Sequence, residues 1–408
     1  MTTSWTVRSA HRAWLDAEAR RLLGFVSAAA HPAHGFAWLD AGGAPVPEQG
    51  TRTWITCRVA HVAALAHLEG VPGAGLLADH GLRALAGPLR DREHGGWFAA
   101  LDARGRPAET RKDAYQHAFV LLAAASAAVA GRPGARELLA EAADVVERYF
   151  WDEEAGRCRE SWERDWSADE PYRGANSNMH LVEAFLAVFD ATGERVWAER
   201  ALRVARFFVH EVAAARDWRL PEHFDVDWRV VADYNAQDRA HPFRPYGVTV
   251  GHVLEWARLL VHLEAALPDA PGWLLADAEA MFAAAVERGW SVDGSAGFVY
   301  TLDYDDTPVV RARMHWVVAE AISAAAVLGR RTGEGRYERW YREWWDHAAA
   351  YFVDAVGGSW HHELDASLCP PRGGTWSGKP DVYHAYQATR LPLLPVAPSL
   401  AGALASGG

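Results

Sequence analysis

Four short stretches decide the fold: Gly95-Gly-Trp-Phe98, Ala155-Gly-Arg157, Ala296-Gly-Phe-Val-Tyr300 and Gly357-Gly-Ser-Trp360. Each joins a glycine or small pair to an aromatic residue or arginine and then runs into a short extended segment. They recur at intervals of about sixty residues once a further unit is allowed for, whose link from Trp218 to Asp238 lacks the glycine pair. A period of that size marks repeated supersecondary units.

Between these links the periodicity is helical. Helices are expected over residues 7–29, 52–70, 75–88, 112–130, 136–150, 177–191, 194–213, 250–266, 272–288, 312–329, 334–353 and 381–391. Alanine-, leucine- and valine-rich segments such as Ala118–Ala130 and Ala319–Leu328 suit helices. Gly70-Val-Pro72, Gly131-Arg-Pro133 and Pro268-Asp-Ala-Pro271 punctuate them. Long links follow the odd-numbered helices and short links the even-numbered ones. Twelve helices arranged as six hairpins describe an all-α (α/α)6 barrel, with the even-numbered helices as its inner wall. An open solenoid is the competitor, but a sixty-residue unit with β-like links is uncommon there. Without a linker or composition break, residues 1–408 read as one domain, its small, Pro/Gly-rich tail from about 395 expected to fray.

Half of the residues are apolar and 23% are charged, which leaves ample material for a core. The net charge of −12 and near absence of lysine argue against a nucleic-acid partner. Met1-Thr-Thr-Ser-Trp5 has no basic segment followed by an apolar one, so no signal peptide is read there. No long uncharged apolar run suggests a membrane span. Cys57, Cys158 and Cys369 are widely spaced, which fits reduced thiols and a cytoplasmic location. The 20 tryptophans fill a large helical core in the plain reading, and in the sharper one some pack against sugar C–H surfaces.

Each even-numbered helix opens with polar side chains. The second carries Trp54 and Arg58, four apart and so on one face. The fourth begins Tyr115-Gln-His117, and Asn176-Ser-Asn-Met-His180 precedes the sixth. The eighth contains Gly251-His-Val-Leu-Glu255, the tenth His315, Trp316 and Glu320, and the twelfth Tyr383, His384 and Gln387. Taken singly, each histidine is better read as packed or exposed, and each glutamate as solvated. Arg58 is as readily an ion-pair partner as a ligand contact. Together they place histidines, glutamates and an arginine around one axis, a set that is costly to bury without a polar ligand.

At these residues the chain resembles the N-acylglucosamine 2-epimerase superfamily, and within it the branch of D-mannose and sulfoquinovose isomerases. The resemblance rests on Trp54-Ile-Thr-Cys-Arg58, Asn176-Ser-Asn-Met-His180, Gly251-His-Val-Leu-Glu-Trp256 and Asp381-Val-Tyr-His384, in order along nearly the whole chain. It implies the (α/α)6 fold and His252 and His384 as an acid/base pair. It further implies that Arg58, Asn176, His180, Glu255 and Glu320 hold sugar oxygens, with Trp54, Tyr115 and Trp316 shaping the pocket. A tryptophan close before the last histidine is expected in the family. Here Lys379-Pro-Asp-Val precede Tyr383, and Trp376 lies earlier.

The activity so implied is aldose–ketose isomerisation of D-mannose and D-fructose, extending to D-lyxose and D-xylulose, through a cis-enediol. Imidazole exchanges protons in both directions near neutrality, and Arg58 suits the enediolate charge. Glu255, one turn from His252, is expected to orient that imidazole. The runner-up is a sugar 2-epimerase using both faces of the same enediolate. An (α/α)6 glycoside hydrolase would need two carboxylates, with Glu255 and Glu320 or Asp303 as candidates. A non-catalytic sugar-binding toroid would not need paired histidines. His361-His362-Glu363 looks like a ligand cluster, but adjacent residues in an extended link point to opposite sides. No metal and no cofactor is expected, and the partners expected are a monosaccharide and at most a weak second copy.

Overall fold

Helices that are apolar on every side must be surrounded, whereas helices with one apolar stripe face water. The chain alternates the two kinds. In the computed structural model, which describes residues 4–31 and 33–407, α2 (Thr53–Leu68), α4 (Ala114–Val129), α6 (Ala175–Thr192), α8 (Val250–Ala266), α10 (His315–Thr332) and α12 (Tyr383–Arg390) are buried almost throughout. Between them run α1 (Ser9–Ser27), α3 (Ala74–Ala86), α5 (Ala135–Val145), α7 (Arg195–Ala205), α9 (Trp273–Gly289) and α11 (Gly335–His347), which bury one face each. Met1–Thr3, at the head of the stretch read for a signal peptide, lie outside the described residues.

The inner helices touch in the order α2, α4, α6, α8, α10, α12, and α12 returns to α2, closing the ring. Each packs on its own outer helix, with α1 serving α12. This is the (α/α)6 barrel read from the repeat. Its outer helices run on as π-helical turns at Val146–Phe150, Arg206–Ala213 and Ala348–Phe352, which accounts for the longer spans expected there.

The recurring glycine has a specific task. After an outer helix the chain doubles back in a tight hairpin, bridging Arg90 to Trp97, Trp290 to Phe298 and Val353 to Trp360. The residue before the returning strand sits at positive φ, Gly96 at 65° and Gly297 at 97°, a conformation glycine adopts without a Cβ penalty, while Ser359 takes it at 55° in the third. The extended run that follows pairs with the two residues preceding an inner helix: Arg52 with Ala100, Asp113 with Ser161, Gly174 with His223, Thr249 with Thr301 and Met314 with Glu363. The first helical N–H then bonds the neighbouring link, as in Thr53 N–H to Ala99 O and His315 N–H to His362 O. Link and helix start are therefore locked together around the ring, on the face where every inner helix begins.

The opposite face is closed by an element not expected from the sequence. The tail read as frayed ends in α13 (Leu400–Ser406), which packs on α2, α4 and α6 and buries Leu400, Ala401 and Ala403. Small residues taken as a sign of looseness are what pack against these three inner helices, and Ser399 anchors them by a 2.6 Å bond from Oγ to Asp190. Among the described residues no helix is long and apolar enough to cross a membrane. Cys57 and Cys158 are buried thiols and Cys369 an exposed one.

Candidate active site

The first three residues of all six inner helices contribute to one pocket. Trp54, Tyr115, Asn176, His252, His315 with Trp316, and His384 line it. It encloses about 640 Å³, its open mouth included. Because every inner helix points its N-terminus here, six sets of partly unsatisfied N–H dipoles converge on the pocket and favour negative charge within it.

The two histidines implied as acid and base share one arrangement. His252 Nδ1 lies 2.8 Å from Glu222 Oε1, and His384 Nδ1 lies 2.8 Å from Glu320 Oε1. A carboxylate only accepts, so Nδ1 carries the hydrogen in each ring and Nε2 is left for a ligand. The indole of Trp316 packs against both rings, its centroid 5.2 Å from His252 and 5.7 Å from His384. It fits because residue 251 is glycine, where a Cβ would lie 2.2 Å from the indole. Burial, then the charge of Arg58, holds the His384 pKa well below the usual imidazole value.

Glu222 was not among the residues singled out. It lies in the link after α7, immediately before the strand residue His223, and is 2% exposed. Glu255, expected to orient His252, faces elsewhere: Oε1 lies 3.6 Å from His180 Nδ1 and 3.6 Å from Arg258 Nη2. Neither Glu255 oxygen has a hydrogen-bond partner, although the side chain is fully buried and lines the pocket. Burial, with Glu320 nearby, pushes its pKa well above the ordinary carboxylate range. Glu320 was expected to hold a sugar oxygen. It is instead fully buried behind His384 and takes Arg258 Nε at 2.8 Å on its other oxygen, so it is not among the lining residues. Arg258 also approaches Glu183 at 3.7 Å, and Glu183 accepts from Tyr383 Oη and from Gln387 Nε2.

Arg58 is held more firmly than a free ligand contact. Its Nη1 pairs with Asp381, its Nη2 donates to Tyr115 Oη at 3.1 Å, and its guanidinium stacks near the rings of Phe119, Tyr383 and Trp54. Asp381 is 5% exposed and also accepts the Tyr383 N–H at 2.7 Å. Burial alone would raise the Asp381 pKa, but Arg58 and neighbouring histidines hold it below its ordinary value.

Residues 35–388 match the model of the N-acylglucosamine 2-epimerase (GlcNAc 2-epimerase) family. The chain belongs to that family. It is 82% identical over 406 residues to a D-mannose isomerase of Thermobifida fusca, spanning the whole of both chains. It is 51% identical to a D-mannose isomerase of Pseudomonas cannabina pv. alisalensis, covering 99% of this chain and 97% of the other. A crystal structure of a D-mannose isomerase superposes with a TM-score of 0.87 at 28% identity, covering 93% of this chain and 97% of that one.

At the mouth of this family's barrel the present chain builds an aromatic collar. Trp376, from the link before α12, meets Trp54 at 6.2 Å, Phe243 at 5.4 Å and Trp38 at 6.4 Å between ring centroids. Trp376 thus reaches the pocket although it lies earlier than the family pattern suggests. Phe243 lies just past the Trp218–Asp238 link, in the same long excursion before α8, which also brings Pro242 and Pro245 to the pocket. The side chains of His361, His362 and Glu363 diverge: His361 lies 3.8 Å from Asp354, His362 lines the pocket, and Glu363 accepts the Trp376 N–H at 3.2 Å. Among the described residues, His180–Glu183–Glu255 and Glu255–Glu320–His384 each bring three donor atoms within 4.8 Å of one another. The Arg258 guanidinium lies among the same carboxylates and supplies positive charge there.

Proposed function

We propose that this enzyme interconverts D-mannose and D-fructose by histidine acid/base proton transfer through a cis-enediol, and accepts D-lyxose and D-xylulose as the five-carbon counterparts. The observation that carries the reading is the pair of pocket imidazoles, His252 and His384, each backed by a buried carboxylate through Nδ1 and each presenting Nε2. The identity of 82% to a D-mannose isomerase supports the choice of sugar.

The ring opens when a base takes the anomeric hydroxyl proton and an acid protonates O5. A base then removes the proton from C2 as O1 gains one, giving the enediol. Loss of the O2 proton and return of a proton to C1 complete the ketose. His384 shuttles the carbon-bound proton and His252 serves ring opening and the oxygen protons. Burial and Arg58 hold the His384 pKa below the usual imidazole value, so the ring is neutral and Nε2 is free to take a proton at neutral pH. Arg58, always charged, and the six helix N-termini meet the oxyanion with dipoles already in place. Asn176, His180 and Glu255 face the remaining hydroxyls. Glu255 carries its proton more readily than an ordinary glutamate, so it donates as well as accepts.

A 2-epimerase would use the same residues with both histidines addressing carbon. A hydrolase is less favoured, because Glu320 is buried behind His384 and Asp303 accepts from Tyr246 Oη at 3.0 Å. Incubation with mannose in D₂O followed by NMR separates these. Fructose labelled at C1 with little glucose is expected. Rapid formation of C2-labelled glucose would identify a 2-epimerase. His384→Ala is expected to abolish carbon exchange and His252→Ala to retain slow exchange, and the opposite pattern reverses the two roles.

A further inference from the structure

His315, the first residue of α10, takes no part in the two carboxylate-backed pairs, yet its ring lines the pocket and is 5% exposed. Its Nδ1 lies 3.1 Å from the carbonyl oxygen of His362. A carbonyl only accepts, so this nitrogen carries the ring hydrogen and Nε2 holds a bare lone pair. Nε2 has no hydrogen-bond partner in the protein. Stacking on His362, with centroids 4.0 Å apart and planes 14° from parallel, together with the Nδ1 bond, holds the ring in this orientation. His362 is fixed in turn, its Nε2 donating to the Asp381 carbonyl at 2.9 Å.

We infer that His315 is a specificity-determining residue, whose Nε2 accepts a hydrogen bond from one non-reacting hydroxyl of the bound sugar. A buried acceptor left unpaired costs about 1–3 kcal/mol, so the pocket is primed for a donor, and hydroxyls are the donors a monosaccharide offers. Asn176 Oδ1, His180 Nδ1 and both Glu255 oxygens are also unpartnered there, but the other charged and catalytic groups are tied within the protein on one side. Arg58 is tied to Asp381, and His252 and His384 are tied through Nδ1. Burial holds the His315 pKa at about 4, so the ring stays neutral and accepting under ordinary conditions.

This inference rests on the pocket holding a monosaccharide, as proposed above. The test compares wild type with His315→Phe, which keeps an aromatic ring against His362. The His362 carbonyl keeps the backbone N–H of residue 315 at 3.1 Å, so the substitution strands no acceptor in the wall. kcat/KM is measured for D-mannose and for analogues lacking O3, O4 or O6, with binding followed by calorimetry on the same samples. The variant is expected to lose about 10- to 100-fold in kcat/KM on mannose, mainly through KM, the loss set by an unmade hydrogen bond to a buried group. One deoxy sugar should be handled equally by both proteins, because it lacks the hydroxyl that meets Nε2. His315→Gln, which restores an acceptor oxygen, should recover part of the loss. An equal loss on mannose and all three analogues, or no loss, overturns the inference while conversion of mannose stands. Binding with the expected contrast but no conversion overturns the isomerase reading alone, and absence of sugar binding by wild type overturns both.

Discussion

Replacing Glu222 tests how the pocket sets up its chemistry. The Glu222 carboxylate is 2% exposed and lies 2.8 Å from His252 Nδ1. In Glu222→Gln the partner remains but its charge does not. A hydrogen bond to a charged group contributes about 1.5–3 kcal/mol and a neutral one about 0.5–1.5 kcal/mol. The difference of about 1–2 kcal/mol corresponds to roughly 5- to 30-fold in rate. The amide can also turn its NH₂ toward Nδ1, which places the ring hydrogen on Nε2 and spoils the base. Glu222→Ala removes the partner altogether and should cost about 10²–10³, within the range of a positioned general acid–base group. The assay is ketose formation from mannose, read as kcat and KM separately, with thermal unfolding as a control for folding. The loss should fall on kcat. Since Glu222 acts through His252, its replacement should add little in a His252→Ala background, whereas independent sites give additive losses. Unchanged kcat in a folded Glu222→Gln protein, or full additivity with His252→Ala, refutes the argument that Glu222 acts through His252.

Other outcomes follow from the same geometry. Arg58→Ala leaves Asp381 buried without its partner and should cost about 3–5 kcal/mol of stability, seen in denaturant unfolding. Arg58→Lys should keep most of the fold while losing activity, and a fully active Lys variant would show that guanidinium geometry is unimportant. Burial holds His61 and His262 at about 4 and His117 at about 3, while the unfolded chain takes up protons on these histidines below about 6.5. Stability is therefore lost as pH falls from about 6.5 toward 4, by about 1.4 kcal/mol per such histidine per pH unit. A melting temperature that is flat between these limits contradicts this. Leu400→Ala should destabilise by about 2–5 kcal/mol, since α13 plugs the barrel, and an unchanged melting temperature would mean that the plug contributes nothing. Activity should survive exhaustive EDTA treatment; loss restored by one divalent ion would overturn the metal-free mechanism.

What the sequence determined by itself is whatever local periodicity encodes. Alanine- and leucine-rich segments such as Ala118–Ala130 marked helices, and the regular return of long links before every second helix favoured a closed ring over an open solenoid. Since each inner helix starts at the same face, its opening residues had to share one pocket, and Trp54, Arg58, Tyr115, Asn176, His180, His252, Glu255, Trp316 and His384 do. The tertiary structure decided the pairings. His252 and Glu222 are 30 residues apart and His384 and Glu320 are 64 apart, each pair meeting because a link or neighbouring helix is locked beside an inner helix start. Glu255 lay on the right face one turn from His252, but its closest approaches are to the charged and polar groups of His180 and Arg258, which the sequence could not place. The same holds for the partners of Asp381, His362, Trp376 and Phe243, which lie in connections between helices, where no helical spacing fixes a face. Spacing along a helix fixes which residues share a face; only packing between segments fixes which oxygen meets which nitrogen, because that depends on the approach of two backbones to within a few ångströms.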